Sequence, residues 1–538
     1  MNCSLKIFLL LLISLVSLSL LSFQTNNHEV LPKQSANSFD KMLAVDSRKL
    51  EGNNIRTWFR TNGSFNRDPA TGNSGFEWPK NTSKFARYAS GLLIGAVSQS
   101  DTLVCVAMYT YEYLPGYVDN NGMPQGRDNP DYRIYNISAT DTSDYEAWRN
   151  IASVQGAYLD SMGNPFLIGA QTMFYSYTDG YADSHGNNAG GTAPLKAQIL
   201  QTNWCINNAA LRNVIFSEFR VINRSNIAWN NAYISIWTDD DLGGSGDDAV
   251  GCDSLTGLAY TYNYASSDPT YGNPPPAVGT TVLRSPLKYT GNMNDTVKYY
   301  SPPGSNNKIV KVGYMFTGIS SFNTYINGDP TAGDPTNYRE TYRNIQGLKR
   351  NGTSWINPIT SSTTKFPYSG NPVNSSGWIM TSGNDRRSMQ SFGPLTVQPG
   401  DTQSVIIAQL VASGSTNLQS ITSLKTLSAY VKNFFENNLT VSVQNVSLEV
   451  PSVYNLAQNY PNPFNPSTTI SYSIPEAGNV KLSVFDMMGR EVMILVNEFR
   501  QAGIYEAILN AERFASGTYF YRLETGNYIS AKKMVYLK

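Results

Sequence analysis

Apolar and polar positions alternate with period two through most of this chain, which predicts strands. Between residues 51 and 445 the runs 103–109, 214–222, 233–237, 312–316 and 405–411 are β-branched or aromatic and end at Gly, Pro, Asn or Asp. Several are apolar on both alternating faces, the pattern of central strands covered on both sides. The loops between them are rich in Asn, Gly, Pro and Tyr, with breakers at Pro274-Pro275-Pro276 and Gly328-Asp329-Pro330. No fixed-period repeat supports a propeller or solenoid. One segment has helical period instead. Leu418, Ile421, Leu424, Leu427, Val431 and Phe434 or Phe435 form a single stripe, which predicts a helix over 418–437. Ser415, Thr416 or Asn417 caps its start, and Asn437-Asn438 suit its end. Val397-Gln398-Pro399-Gly400-Asp401 reads as a hairpin turn into the 405–411 strand.

The C-terminal segment alternates most clearly. Ile470, Tyr472 and Ile474, then Val480, Leu482 and Val484, then Tyr519, Tyr521 and Leu523, mark successive half-buried strands. Turn residues punctuate them at Gly478-Asn479, Gly489, Gly503, Gly517 and Gly526-Asn527, a spacing that predicts a small Ig-like β-sandwich over 451–538. The fold class expected is all-β: multidomain β-sandwiches with one helix. The body spans 51–445, with a division expected near 285–300, around Ser285-Pro286 and Ser301-Pro302-Pro303-Gly304, and residues 446–450 are read as a linker. At the other end, Lys6 precedes an apolar run from Ile7 to Phe23, the layout of a signal peptide over 1–23. Residues 24–50, which include His28, are polar and aperiodic and read as a leader. No later stretch is apolar enough to span a bilayer, so the chain is expected to be soluble outside the cytoplasm.

The string Asn459-Tyr460-Pro461-Asn462-Pro463-Phe464-Asn465-Pro466 resembles the opening of a type A C-terminal sorting domain of the type IX secretion system of Bacteroidetes. Val484-Phe485-Asp486 with Gly489 and Val492, the strand Ala515-Ser516-Gly517-Thr518-Tyr519-Phe520-Tyr521, and Lys532-Lys533-Met534 follow the same family's pattern. The resemblance implies an address: passage through the Sec translocon, then through the type IX machinery of the outer membrane of a Gram-negative-type envelope. It also implies release or surface attachment, usually with the sorting domain removed. The body, including the stretch from Asn223-Arg224-Ser225 to Gly243, is similar to bodies of other surface proteins with such domains, which adds location and not chemistry.

Composition narrows the chemistry. Forty basic residues balance forty acidic ones, and charged residues make up only 15%. A nucleic-acid binder would show a basic footprint, so nucleic acid is excluded as a partner. Aromatics at 12%, including 34 Tyr, exclude a disordered chain. Two His cannot build a three-His zinc site. H-E-x-x-H, G-x-S-x-G, C-x-x-C, Walker and G-x-G-x-x-G patterns are missing.

The densest acidic stretch runs from Asp239 to Asp253. Asp239 and Asp241 project to one side at a strand end, and Asp247, Asp248 and Asp253 follow among glycines that offer carbonyl oxygens. Calcium takes six to eight such oxygens, so these five are its candidate ligands, although the spacing does not fit an EF-hand. The alternative is a solvated loop whose Asp residues cap turns. Glu112, Glu146 and Glu218 are candidates for glycoside hydrolysis, but the sequence pairs none of them with a second carboxylate. His185, inside the body, reads as a loop hydrogen-bonding residue. Cys105 reads as a core residue; Cys205 and Cys252 are a candidate disulfide, with two buried thiols as the alternative. Trp58, Trp78, Trp148 and Trp378 either stack on sugars or fill gaps between sheets. The expected function is an exported, non-enzymatic surface or matrix protein. The alternatives are a calcium-stabilised adhesin that binds surface polysaccharide, and a secreted glycoside hydrolase.

Overall fold

The computed structural model describes residues 45–439 and 453–537, apart from 477, 501, 502 and 513. The expected signal peptide, His28, the leader up to residue 44 and the linker at 446–450 lie outside the described residues.

The body is built on two stacked antiparallel sheets. The first has eight strands, in the order Ser47–Leu50, Thr57–Arg60, Ser64–Phe65, Ala89–Ser98, Trp229–Asp239, Arg386–Val397 and Ser321–Ile326, with Asp101–Val106 also paired to Ala89–Ser98. The second has nine, in the order Tyr135–Ser138, Gln171–Thr178, Ala197–Cys205, Val214–Asn223, Thr402–Ala412, Ala277–Arg284, Leu258–Asn263 and Asp248–Asp253, with Leu114–Pro115 paired to Gln171–Thr178. Leu92, Ile94, Ile234 and Ile236 from the first sheet share one buried cluster with Ile199, Phe219, Val221, Val405 and Ile407 from the second.

The double-sided apolar runs are explained by what lies outside each sheet. On Trp229–Asp239, Ile234 and Ile236 face the other sheet, while Tyr233 and Trp237 pack outward with Met389, Tyr342 and Ile345. On Thr402–Ala412, Ile406, Ala408 and Leu410 lie beneath Ile421, Leu424, Leu427, Val431 and Phe434 of the helix Asn417–Glu436. Thr416 caps that helix by accepting a 3.0 Å hydrogen bond from Gln419 N. Its bounds agree with the stripe to one residue, and Phe434 rather than Phe435 sits in the core. A second helix, Tyr338–Ile345, covers the first sheet. Its sequence carries only Tyr342 and Ile345 as buried apolar residues, too few for a visible stripe, and Asn337 caps it by accepting from Arg339 N and Glu340 N.

Three expectations about layout meet the structure differently. Ser47–Leu50, read as leader, is an edge strand paired with Thr57–Arg60; with only Leu50 buried, its alternation was invisible. Strands before and after residues 285–300 are neighbours: Ala277–Arg284 pairs with Thr402–Ala412, and Trp229–Asp239 with Arg386–Val397. The pairing therefore ties both sides of that stretch into the same two sheets. The strand expected at 312–316 is broken at Gly313, whose φ of 81° separates Lys308–Val312 from Tyr314–Phe316.

The Cys205–Cys252 disulfide is not formed; both thiols, and that of Cys105, are free and buried. The two strands that carry the pair are five steps apart in the second sheet, about 24 Å at ~4.8 Å per step, far beyond disulfide reach. Cys205 packs between the sheets and Cys252 beneath the long helix.

The C-terminal segment is a separate sandwich with its own core. Asn455–Leu456, Ser467–Ile474 and Gly503–Asn510 form a three-stranded sheet. Glu491–Arg500, Gly478–Phe485, Gly517–Thr525 and Tyr528–Tyr536 form the facing four-stranded sheet. Ile470, Tyr472, Ile474, Val480, Leu482, Val484, Tyr521 and Leu523, all read from alternation, are buried between them, and Tyr519 is partly buried against them. Among the described residues no helix is long and apolar enough to cross a membrane.

Candidate functional site

Three polar constellations stand out. The first is at the end of Trp229–Asp239. Carboxylate oxygens of Asp239, Asp241 and Asp385 lie within 4.8 Å of one another, so the alternation does put Asp239 and Asp241 on one side. Asp240 points the other way, into the space between the sheets, where Arg87 Nε lies 3.2 Å from its Oδ1 and Thr261 donates to its Oδ2 at 2.7 Å. Arg387 is the basic centre of the first group. Its Nη1 is 2.9 Å from Asp385, and its Nε is 3.6 Å from Asp239 and 3.8 Å from Asp334. Arg387 Nε also donates to Tyr109 Oη at 2.6 Å, and Tyr109 Oη donates to Asp239 at 2.8 Å. Burial works against the Arg387 charge, but Asp239, Tyr109, Asp334 and Asp385 outweigh it and raise its pKa.

The remaining predicted calcium ligands disperse. Asp247 accepts from Asn263 Nδ2 at 2.9 Å. Asp248 is fully buried and accepts from Leu242 N at 3.2 Å. Burial, then the charges of Asp240, Asp241 and Asp247, push its carboxyl well above the usual range. Asp253 does not join them. It sits at the far end of Asp248–Asp253, about 17 Å along the strand, and caps a turn by accepting from Thr256 N. Arg87, Arg387 and Asp385 were missed. The only trace in sequence is the run Asp385-Arg386-Arg387 at a strand start, whose proximity to Asp239 depends on strand pairing.

The second constellation surrounds His185, the one His of the body. Glu112 and Asp179, both wholly buried, flank its ring, which is 2% exposed. His185 Nε2 is 2.8 Å from the carbonyl of Asp179; a carbonyl only accepts, so Nε2 carries a proton. Nδ1 is 3.7 Å from Glu112 Oε2 and has no hydrogen-bond partner among the described residues. Backbone amides complete both carboxyls: Gly191 N and Val106 N donate to Glu112, and Leu195 N and Ala197 N to Asp179. A side chain at Gly190 would overlap the Glu112 carboxylate, so glycine lets this loop close. Burial pushes Glu112 up to about 7, against His185 and the two amides, which pull it down. Burial thus favours the protonated form of Glu112 beside the His185 ring. Cys105 lies beside them, but burial, then Asp179 and Glu112, push its thiol well above its ordinary value, the opposite of an activated nucleophile.

Glu146 and Glu218 share no partner with Glu112. Glu146 is exposed and pairs with Arg149. Glu218 is buried, accepts from Tyr158 Oη (2.9 Å) and Ser404 Oγ (3.1 Å), and faces Arg284. Of the tryptophans, Trp148, Trp204, Trp229 and Trp237 are fully buried and fill the packing beside and between the sheets, whereas Trp58, Trp78 and Trp378 are half-buried.

The third constellation is the proline-rich string that opens the C-terminal sandwich. Tyr460 is largely exposed, while Phe464 is buried and its ring lies 5.2 Å from that of Tyr536. Phe464 N donates to Val535 O, Leu537 N to Phe464 O, and Val535 N to Asn462 Oδ1. Pro461 O accepts from Asn459 Nδ2 and Thr468 Oγ1. Pro463, Asn465 and Pro466 complete the turn into Ser467–Ile474. The string is thus tied to the last strand, on which Lys532 and Lys533 precede buried Met534. Gly489, at φ 76°, closes a turn on Asp486, and Gly517 opens the strand Gly517–Thr525.

Residues 458–537 match the family described as the secretion system C-terminal sorting domain. The tail of this chain is such a domain, and it marks the chain for type IX export to the cell surface or the medium. The chain matches no curated protein. Among solved structures it has a distant similarity to a polysaccharide lyase, at 8% identity, with 63% of this chain and 34% of that one covered and a TM-score of 0.18. The match spans about a third of the lyase's length, and a score of that size carries no argument.

Proposed function

We propose that the chain is a non-enzymatic β-sandwich protein of the cell surface or extracellular matrix, carried through the Sec translocon and then the type IX machinery. The observation that carries the export route is the sorting sandwich at 458–537. The non-enzymatic reading is supported by how the body's buried acids are occupied. Asp239 and Asp385 face Arg387, Asp240 faces Arg87, Glu218 faces Tyr158 and Arg284, and Glu112 and Asp179 accept backbone amides. Such groups hold the fold together from inside. In a type IX-competent host the full chain should reach the outside, and a chain cut before residue 453 should stay within the envelope. Equal export of both would sink the proposal. Release of reducing ends from any glycan by the purified protein, lost in Glu112→Gln or Glu218→Gln, would overturn the non-enzymatic half.

A second reading, the calcium-stabilised adhesin for surface polysaccharide, is favoured by the Asp239–Asp241–Asp385 group alone. These three supply about half of the six to eight oxygens calcium takes. Arg387 already occupies two of them and repels a cation. A ligand that binds only the folded state must raise its melting temperature. A calcium-dependent rise that Asp241→Asn removes, with glycan-array binding lost in chelator, would revive this reading; no rise retires it.

A further inference from the structure

Residues 287–316 form a two-stranded ribbon that the roles above leave unused. Thr296–Tyr300 pairs with Lys308–Val312, and Leu287–Tyr289 with Tyr314–Phe316; among the described residues no third strand joins either pair. Its inward face is clamped to the body. Val297 is buried, Arg284 lies 4.5 Å over the Tyr299 ring and donates to Tyr300 O at 2.8 Å. At the tip, Gly304 N donates to Asn438 Oδ1, and Asn438 Nδ2 to Ser305 O. The ribbon is therefore held flat, with a defined outward face.

That face is both apolar and basic. The cross-strand pairs Thr296–Val312, Lys298–Val310 and Tyr300–Lys308 share the side opposite Val297 and Tyr299. Val310 is 53% exposed and Val312 45%. Lys298 and Lys308 lie on this face, Lys311 pairs with Val297 on the other side, and with Lys288 the ribbon as a whole sets four lysines against the single acid Asp295, within a chain whose total charge is zero. Among the described residues none of these lysines has an ion-pair partner. Lys308 lies 5.8 Å over Tyr300 and Lys311 5.3 Å over Tyr314.

We propose that this face docks on an anionic lipid surface, with Lys298 and Lys308 at the headgroups and Val310 and Val312 at the acyl boundary. Alternating basic and apolar side chains on an outward face match such an interface in charge and polarity. A second copy would set lysines against lysines. A polysaccharide would want ring platforms, and the apolar members at the centre of this face are aliphatic. The destination set by the sorting domain brings the ribbon to outward-facing headgroups.

The test is flotation of the full mature chain with vesicles of phosphatidylcholine alone or mixed with phosphatidylglycerol. Binding to the anionic vesicles only, lost at high salt, is expected. Lys298→Glu with Lys308→Glu should weaken it at least ~20-fold, taking about fivefold per lysine charge removed, and Val310→Ser with Val312→Ser should weaken it while the melting temperature holds. Absence of wild-type binding overturns the proposal, as does equal binding to both vesicle types or unchanged binding in both double variants. A concentration-dependent dimer that the valine variants abolish, without vesicle binding, would assign the face to a second copy and overturn it as well.

Discussion

Glu112 sits where burial and a hydrogen-bonding loop meet, and its carboxyl titrates at about 7 rather than the usual 4.5. The folded state thus binds this proton more tightly than the unfolded chain. The stability it contributes is full below about 4.5 and lost as pH rises through about 7, a span worth about 3 kcal/mol. Glu112→Gln cannot ionise, so urea unfolding of this variant between pH 4 and 8 should show a flatter profile by about that amount. An unchanged slope would show that this carboxyl does not carry the pH dependence. Arg387→Met should destabilise the body by about 3–5 kcal/mol, because Asp239 and Asp385 lose their buried partner. Denaturant midpoints with and without Asp239→Asn measure it, and the second change should recover part of the loss. Single residues were partly legible. Period two placed Asp239 and Asp241 together, but nothing near Glu112 in sequence announces His185, which is brought to it by a loop closing over two strands.

The long helix was the most legible element, since a stripe of large apolar residues at three-to-four spacing has one packing solution. Leu424 is wholly buried in it, so Leu424→Ala should cost about 2–5 kcal/mol, whereas Thr416→Ala should cost about 1 kcal/mol through the lost cap. Thermal or urea unfolding of the two variants separates packing from capping, and a larger loss at Thr416 would contradict this division. The helix Tyr338–Ile345 was not legible, because two buried apolar residues in eight do not make a period. Strands were readable where one face is polar, as in the sorting sandwich, and where both faces are apolar, as in Thr402–Ala412. The edge strand Ser47–Leu50 is neither, and it passed for leader.

Across the whole molecule, the three thiols of the described residues are free and lie in separate strands. Melting temperature should therefore be the same with and without reductant, and alkylation in denaturant should count Cys105, Cys205 and Cys252 as free; a reductant-sensitive melt would contradict the strand order. The destination of this protein was written locally, in a string of prolines and asparagines and in the alternation that follows it, because a sorting sandwich folds within one continuous segment. The all-β class and the long helix were local in the same sense, since periodicity depends only on neighbours along the chain. Tertiary structure alone decided which strands are neighbours. It set Cys205 and Cys252 on strands with four others between them, brought Arg387 to Asp239 and His185 to Glu112, and tied residues on both sides of 285–300 into the same two sheets. Strand order and loop closure are set by burial and pairing between residues far apart in sequence, and no local pattern encodes them.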